Sequence, residues 1–204
     1  MSLSTWDYTL FQNINQLAGT GTFLNPVMRF LAQDAEYLFY LGILFYWFTR
    51  SRSNRKMSIL ALVSACVGLG VSGIIGQVFY RDRPFVTHEV YQLIGHAANA
   101  SFPSDHATGA FVIAASIWLY RKKEGTVWLL LALGVAFSRV WTGVHYPGDV
   151  LAGALLGTVS ATAVYLSVKH WAFADKWLEA RIRLYEKLEE RVWPKKTQPQ
   201  PPTI

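Results

Sequence analysis

Long apolar stretches, separated by short clusters of Lys and Arg, limit this chain more than any other feature. A helix that crosses a bilayer needs ~20 largely apolar residues, because the hydrocarbon is ~30 Å thick and each helical residue rises about 1.5 Å. Such runs are predicted from about Pro26 to Phe48, Met57 to Phe79, Ala107 to Tyr120, Thr126 to Trp141 and Val150 to Val168. The third and fourth are short, so their outer ends must be shielded by protein, where backbone polar groups find partners. Composition agrees: the chain is 52% hydrophobic and only 16% charged, against ~25% charged in soluble domains. A disordered, collagen-like or ordinary cytosolic chain is excluded. The expected fold class is all-α, an integral membrane bundle of about five transmembrane helices.

Both ends differ from this core. Trp6, Leu10, Phe11, Ile14 and Leu17 recur at helical spacing, with Asp7, Gln12, Asn13 and Gln16 between them. That pattern predicts an interfacial amphipathic helix within residues 1–20. The segment lacks the basic start and unbroken apolar centre of a cleavable signal peptide. After a transmembrane core over 26–170, residues 171–193 predict a second amphipathic helix, lying on the membrane or docked on the bundle. Trp177, Leu178, Ile182, Tyr185 and Leu188 form its apolar face. Residues 1–193 read as one domain and 194–204, rich in Pro, Gln and Lys, as a disordered tail.

The net charge of +6 is distributed in a telling way. With five spans, fifteen of the nineteen Lys and Arg fall on one side; only Arg29, Arg81, Arg83 and Arg139 fall on the other. The basic side is expected to be cytoplasmic, with the C-terminus there and the N-terminus outside. No basic stripe with interleaved aromatics marks a nucleic-acid surface. The single cysteine, Cys66, excludes an internal disulfide and a multi-cysteine metal site. Ser64, Gly68, Ser72 and Gly76, and likewise Gly153, Gly157 and Ala161, recur every fourth residue, a spacing that lets helix backbones approach closely.

Three segments on the sparsely basic side carry chemistry-bearing residues: Arg81-Asp82-Arg83-Pro84, Ser101-Phe102-Pro103-Ser104-Asp105-His106, and Ser138 to Asp149. All lie at the outer ends of predicted spans, so they can converge at one depth. Arginines offer forked donors that match phosphate oxygens and stay charged at any working pH. Ser104 can cap the third span, whose free N–H groups attract an anion. One histidine can serve as nucleophile and the other as proton donor, and Asp149 can fix the tautomer of His145. The set reads as phosphoryl transfer through a phosphohistidine, with no metal or cofactor.

These segments resemble the signature of the type 2 phosphatidic acid phosphatase superfamily. Its third motif, Ser-Arg, five residues, His, three residues and Asp, matches in full from Ser138 to Asp149. The second, Pro-Ser-Gly-His, matches with Asp105 in the glycine position; of the first, Arg83-Pro84 matches, while Gly76 stands in the lysine position. The Pro-Ser-Asp-His variant and the absent lysine are similar to the bacitracin-resistance type of undecaprenyl-diphosphatase. The resemblance implies a membrane lipid phosphatase that recycles the cell-wall lipid carrier by removing the terminal phosphate of undecaprenyl diphosphate, with the lipid and water as its partners. It implies His145 as nucleophile, Asp149 as its orienting partner and His106 as general acid and then base. Arg83, Arg139 and Ser104 would bind the phosphoryl group. Arg81 is the first candidate to replace the missing lysine, and Gln77 the second.

Five further readings stay open at this level. His96 is expected to contact a second phosphate or to give polar support. Asp105 is a site residue or a first-turn helix stabiliser. Glu36 is a partner of the pocket or part of an interfacial salt bridge. The substrate alternatives are phosphatidylglycerophosphate or phosphatidate. A different class, an anion or drug transporter, would use the Arg and His cluster as a gate.

Overall fold

The computed structural model describes residues 3–21 and 23–194. All regular structure in them is helical. The helices, in chain order, are α1 (Leu3–Gly19), α2 (Leu24–Gln33), α3 (Ala35–Phe48), α4 (Arg52–Val78), α5 (Pro84–Thr87), α6 (Asp105–Tyr120), α7 (Lys122–Trp141), α8 (Pro147–His170) and α9 (Ala172–Val192). Of these, α4, α7 and α8 are long and apolar enough to cross a membrane, and α3 is a shorter apolar helix. The predicted tail lies, beyond Pro194, outside the described residues.

The bundle is built around α6, which packs against α8, α7 and α4. At sixteen residues α6 spans about 24 Å, short of the hydrocarbon thickness. It tolerates this because it is enclosed: Ala107, Val112, Ala114 and Ile117 are fully buried. Small residues permit the close approach. A Cβ on Gly153 would lie 2.5 Å from the Ser104 carbonyl oxygen, and one on Gly157 2.4 Å from that of Thr108. The four-residue spacing in the sequence therefore marks the α6–α8 contact, which carries the Ser104 and Asp149 ends of the two helices to each other.

Two elements differ from the sequence expectation. The first apolar run is not one helix: it breaks at Asp34 into α2 and α3. In an unbroken helix the Ala32 carbonyl would pair with the N–H of Glu36; here it accepts from Arg139 Nη1 at 2.6 Å. α1 is also more than an interfacial float. Phe11, Asn15 and Ala18 are buried against the bundle, while Trp6, Leu10 and Leu17 remain exposed.

At the opposite end α9 docks on the bundle rather than standing apart. Leu178 and Ile182 pack with Leu60, and Trp177 and Leu188, assigned to the same face from the sequence, stay exposed. Arg55, 1% exposed, pairs with Glu189 at 2.7 Å and Glu186 at 3.5 Å. Arg50 and Arg52 reach the same two glutamates, and Lys56 pairs with Asp175.

Candidate active site

The third sequence segment makes a turn because α7 has to stop there. Gly143 adopts φ +81°, a left-handed conformation that disfavours side chains, and a Cβ there would meet the Tyr91 carbonyl oxygen at 2.9 Å. The N–H groups of Val144 and His145 both point back to the Arg139 carbonyl, at 3.2 and 3.3 Å. Pro147 then starts α8 at a position where its missing N–H costs nothing. The turn places Arg139 and His145 at the same end of the bundle and puts Asp149 in the first turn of α8.

His145 is 1% exposed and Asp149 is fully buried. The His145 Nδ1 lies 3.5 Å from Asp149 Oδ2. Its Nε2 lies 2.9 Å from Arg83 Nη1. A guanidinium only donates, so Nε2 is the acceptor and the ring proton sits on Nδ1, toward the carboxylate. The same Oδ2 accepts from the Ser101 hydroxyl at 2.5 Å and from the Tyr146 N–H at 2.9 Å. Burial first, then the charges of Arg139 and Arg83, hold the His145 imidazole well below the usual histidine range, at about 4, against the opposing pull of Asp149. The ring is thus neutral at ordinary pH, with a lone pair on Nε2.

Arg83 is anchored by the loop between α4 and α6. Its Nε and Nη2 donate to Asn99 Oδ1 at 3.0 and 2.9 Å, and its Nη1 to the Val144 carbonyl at 3.0 Å. Burial draws its proton affinity below the ordinary arginine value, with Asp149 opposing. Arg139 is 1% exposed. Apart from the Ala32 carbonyl bond at Nη1, its buried Nε and Nη2 have no hydrogen-bond partner among the described residues.

His106, in the first turn of α6, faces Glu36 of α3, with Nε2 3.6 Å from the carboxylate. His96 sits between the two other rings, with centroids 6.4 Å from His106 and 6.1 Å from His145. Burial is the main cause that lowers its affinity for a proton; the Ala97 carbonyl opposes, and Arg83 and Arg139 add to the lowering. Asp105 accepts from Ser72 of α4 at 2.7 Å, tying α6 to α4. Ser104 caps α6 through its hydroxyl, which accepts from the Ala107 N–H at 3.4 Å, and its own N–H donates to the Asp149 carbonyl. A cavity of about 300 Å³ opens on this side, with Glu36, Asp105 and His106 at its polar end and Phe39, Tyr40, Leu69 and Ile113 among its apolar walls.

The structure therefore brings together Arg83, His96, His106, His145 and Asp149, with Arg139 at the same turn. Arg81, expected as a stand-in for the motif lysine, pairs instead with Asp7 at 2.7 Å and Asp149 Oδ1 at 3.0 Å. It lies on the carboxylate side of the dyad, whereas Nε2 is on the other. Gln77 is exposed on α4. At Gly76, a Cβ would stand 3.2 Å from the Phe102 carbonyl oxygen, so the chain before α6 fills the space beside the lysine position. Sequence reasoning did not single out Ser101 or Asn99. Ser101 opens the chemistry-bearing segment that ends at His106, which is its only signal in the sequence; Asn99 has none.

Comparison with known proteins gives the chain a family. The PAP2 superfamily pattern covers residues 57–172. The bacitracin transport permease protein BcrC of Bacillus licheniformis is 42% identical over 197 residues, spanning 96% of this chain and 95% of the relative. The undecaprenyl-diphosphatase BcrC of Bacillus subtilis (strain 168) is 33% identical, spanning 94% and 97%. Among solved structures, Aquifex aeolicus LpxE superimposes with a TM-score of 0.60 at 22% identity, over 78% of this chain and 93% of that one, a likeness of fold. The matched pattern and the near full-length relatives together establish that this chain belongs to the PAP2 superfamily.

Proposed function

We propose that the protein removes the terminal phosphate of undecaprenyl diphosphate at the extracytoplasmic face of the membrane, through a phosphohistidine on His145. The observation that carries this reading is the buried Arg139 guanidinium, whose Nε and Nη2 lack partners among the described residues. A buried cation with unsatisfied donors is costly unless an anion completes it, and a phosphoryl group offers the matching oxygens. The diphosphatase name of the Bacillus subtilis relative supports the choice of lipid. The apolar walls of the cavity beside His106 suit the polyprenyl chain next to its phosphates.

The reaction runs in two steps. The Nε2 lone pair of His145 attacks the terminal phosphorus while Asp149 steadies the Nδ1 proton. The bond to the bridging oxygen breaks, its electron pair stays on the lipid monophosphate, and His106 supplies that oxygen with a proton. Arg83 and Arg139 neutralise the charge on the transferring group. Water then attacks the phosphohistidine, His106 takes its proton, and inorganic phosphate leaves neutral His145 behind. Glu36 holds the His106 ring, and His96 lies where a second phosphate would pass. Dephosphorylation returns the carrier lipid to its monophosphate form, the step that would confer bacitracin resistance.

The transport name of the Bacillus licheniformis relative favours a second reading, an anion or drug transporter. An oriented nucleophile with an unprotonated Nε2 is more than anion passage requires. Purified protein in detergent should release phosphate from undecaprenyl diphosphate with EDTA present, and faster than from phosphatidate or phosphatidylglycerophosphate. No release from any of the three would favour transport; faster release from a glycerolipid would change the substrate.

A further inference from the structure

Asp149 is fully buried, and both of its oxygens are in use. Oδ2 serves His145, Ser101 and the Tyr146 N–H. Oδ1 is held by Arg81 at 3.0 Å. A buried carboxylate needs a compensating charge, and the ring that it orients is neutral, so Arg81 is its closest cationic partner. Arg81 is itself confined. Its guanidinium lies over the Tyr146 ring, 3.7 Å from the centroid, and its Nη1 is shared with Asp7 Oδ2 at 2.7 Å.

Asp7 comes from α1, outside the family motifs. Its second oxygen accepts from the Gly148 N–H at 2.7 Å. That N–H belongs to the first turn of α8, where helix donors lack partners within the helix and a negative charge is favoured. Contact here is close: a Cβ on Gly148 would lie 3.0 Å from Asp7 Oδ2. One carboxylate thus fixes both the arginine behind Asp149 and the backbone residue before it. The rest of α1 keeps Asp7 in place. Phe11 packs edge-on to Tyr146, with ring centroids 5.4 Å apart, and Asn15 donates to the Tyr91 and Trp141 carbonyls. Asp7, Phe11 and Asn15 are spaced by four residues, one face of the helix.

We propose that Asp7 and Arg81 are positioning residues: Asp7, on the amphipathic helix α1, holds Arg81, and Arg81 holds the Asp149 carboxylate in the orientation that aligns His145. The inference rests on the phosphatase reading above and extends it, because it makes the docking of α1 a condition for full catalytic rate. It also gives Arg81 a different task from the missing lysine. A ligand that grips the phosphate equally in ground and transition state contributes to substrate binding; a clasp behind the nucleophile contributes to turnover.

The test is a double-mutant cycle on purified protein in detergent, with size-exclusion profile and melting temperature recorded for each variant. The substrates are undecaprenyl diphosphate and dioctanoyl phosphatidate, and the cycle is read on the one that wild type turns over faster. Arg81→Gln should lower kcat roughly 10- to 100-fold, the loss of a charge-assisted contact, with KM within about threefold. Arg81→Lys should recover part of the loss, and Asp7→Asn should lower kcat about 3- to 10-fold. Asp7→Asn added to Arg81→Gln should cost almost nothing more, since the two act through one contact. Should Arg81→Gln fail to fold, Arg81→Lys and Asp7→Asn decide the matter through kcat alone. A raised KM with unchanged kcat in Arg81→Gln, a wild-type kcat in Asp7→Asn, or multiplicative losses in the double variant would overturn the proposal. Turnover of phosphatidate alone would sink the lipid assignment while leaving the cycle readable; turnover of neither substrate would overturn both.

Discussion

The surroundings of His145 refuse it a charge. Burial and two arginines hold its pKa near 4, so the sign of the pH effect is fixed: the neutral form dominates above that value, and it is lost only as pH falls through it. The acid limb of the kcat/KM profile should therefore lie well below the 6.5 of free histidine. Rates on lipid micelles between pH 4 and 9 check this, and an acid limb at 6.5 or above would contradict the assignment. The convergence of Arg139, His145 and Asp149 was readable in the sequence, since their spacing around a Pro-Gly turn encodes it. The contacts of Ser101 and Asn99 were not readable. They are hydrogen bonds across a loop that has no periodic pattern. Arg81 stands out in the sequence by its charge alone, and its partners, Asp7 and Asp149, come from distant parts of the chain.

Helix ends explain what the hydropathy pattern blurred. The run from Pro26 to Phe48 is uniformly apolar enough to suggest one span, yet its break at Asp34 leaves the Ala32 carbonyl to hold Arg139. A tertiary requirement of this kind overrides local propensity and leaves no periodic trace. The small-residue spacing of α8, by contrast, predicted a close contact and the structure supplies its partner, α6. At the other end, α9 was readable as amphipathic, but not the charge pairs that dock it. Arg55 is the central one, lying 5.0 Å from the Tyr185 ring centroid and paired with two glutamates. Arg55→Met should destabilise the protein by about 2–3 kcal/mol, less than the ~3–5 kcal/mol for breaking a fully buried pair, because both glutamates keep some water. A melting temperature in detergent within one degree of wild type would show that the pairs do not hold α9.

The described residues have two unlike ends: arginines and histidines gathered in the candidate site at one, and basic clusters with α9 at the other. That asymmetry predicts an extracytoplasmic site and a cytoplasmic α9. In a Cys66→Ser background, cysteine at Thr20 should react with an impermeant maleimide on intact cells, and cysteine at Lys187 only after lysis. The reverse pattern would place the site in the cytoplasm. The chemistry itself is tested most directly by trapping the covalent intermediate. Wild-type protein quenched during turnover of undecaprenyl diphosphate carrying a radioactive terminal phosphate should hold an acid-labile label that maps to His145. His145→Ala should show neither label nor turnover. Label on Ser104, or undiminished turnover in His145→Ala, would contradict the account.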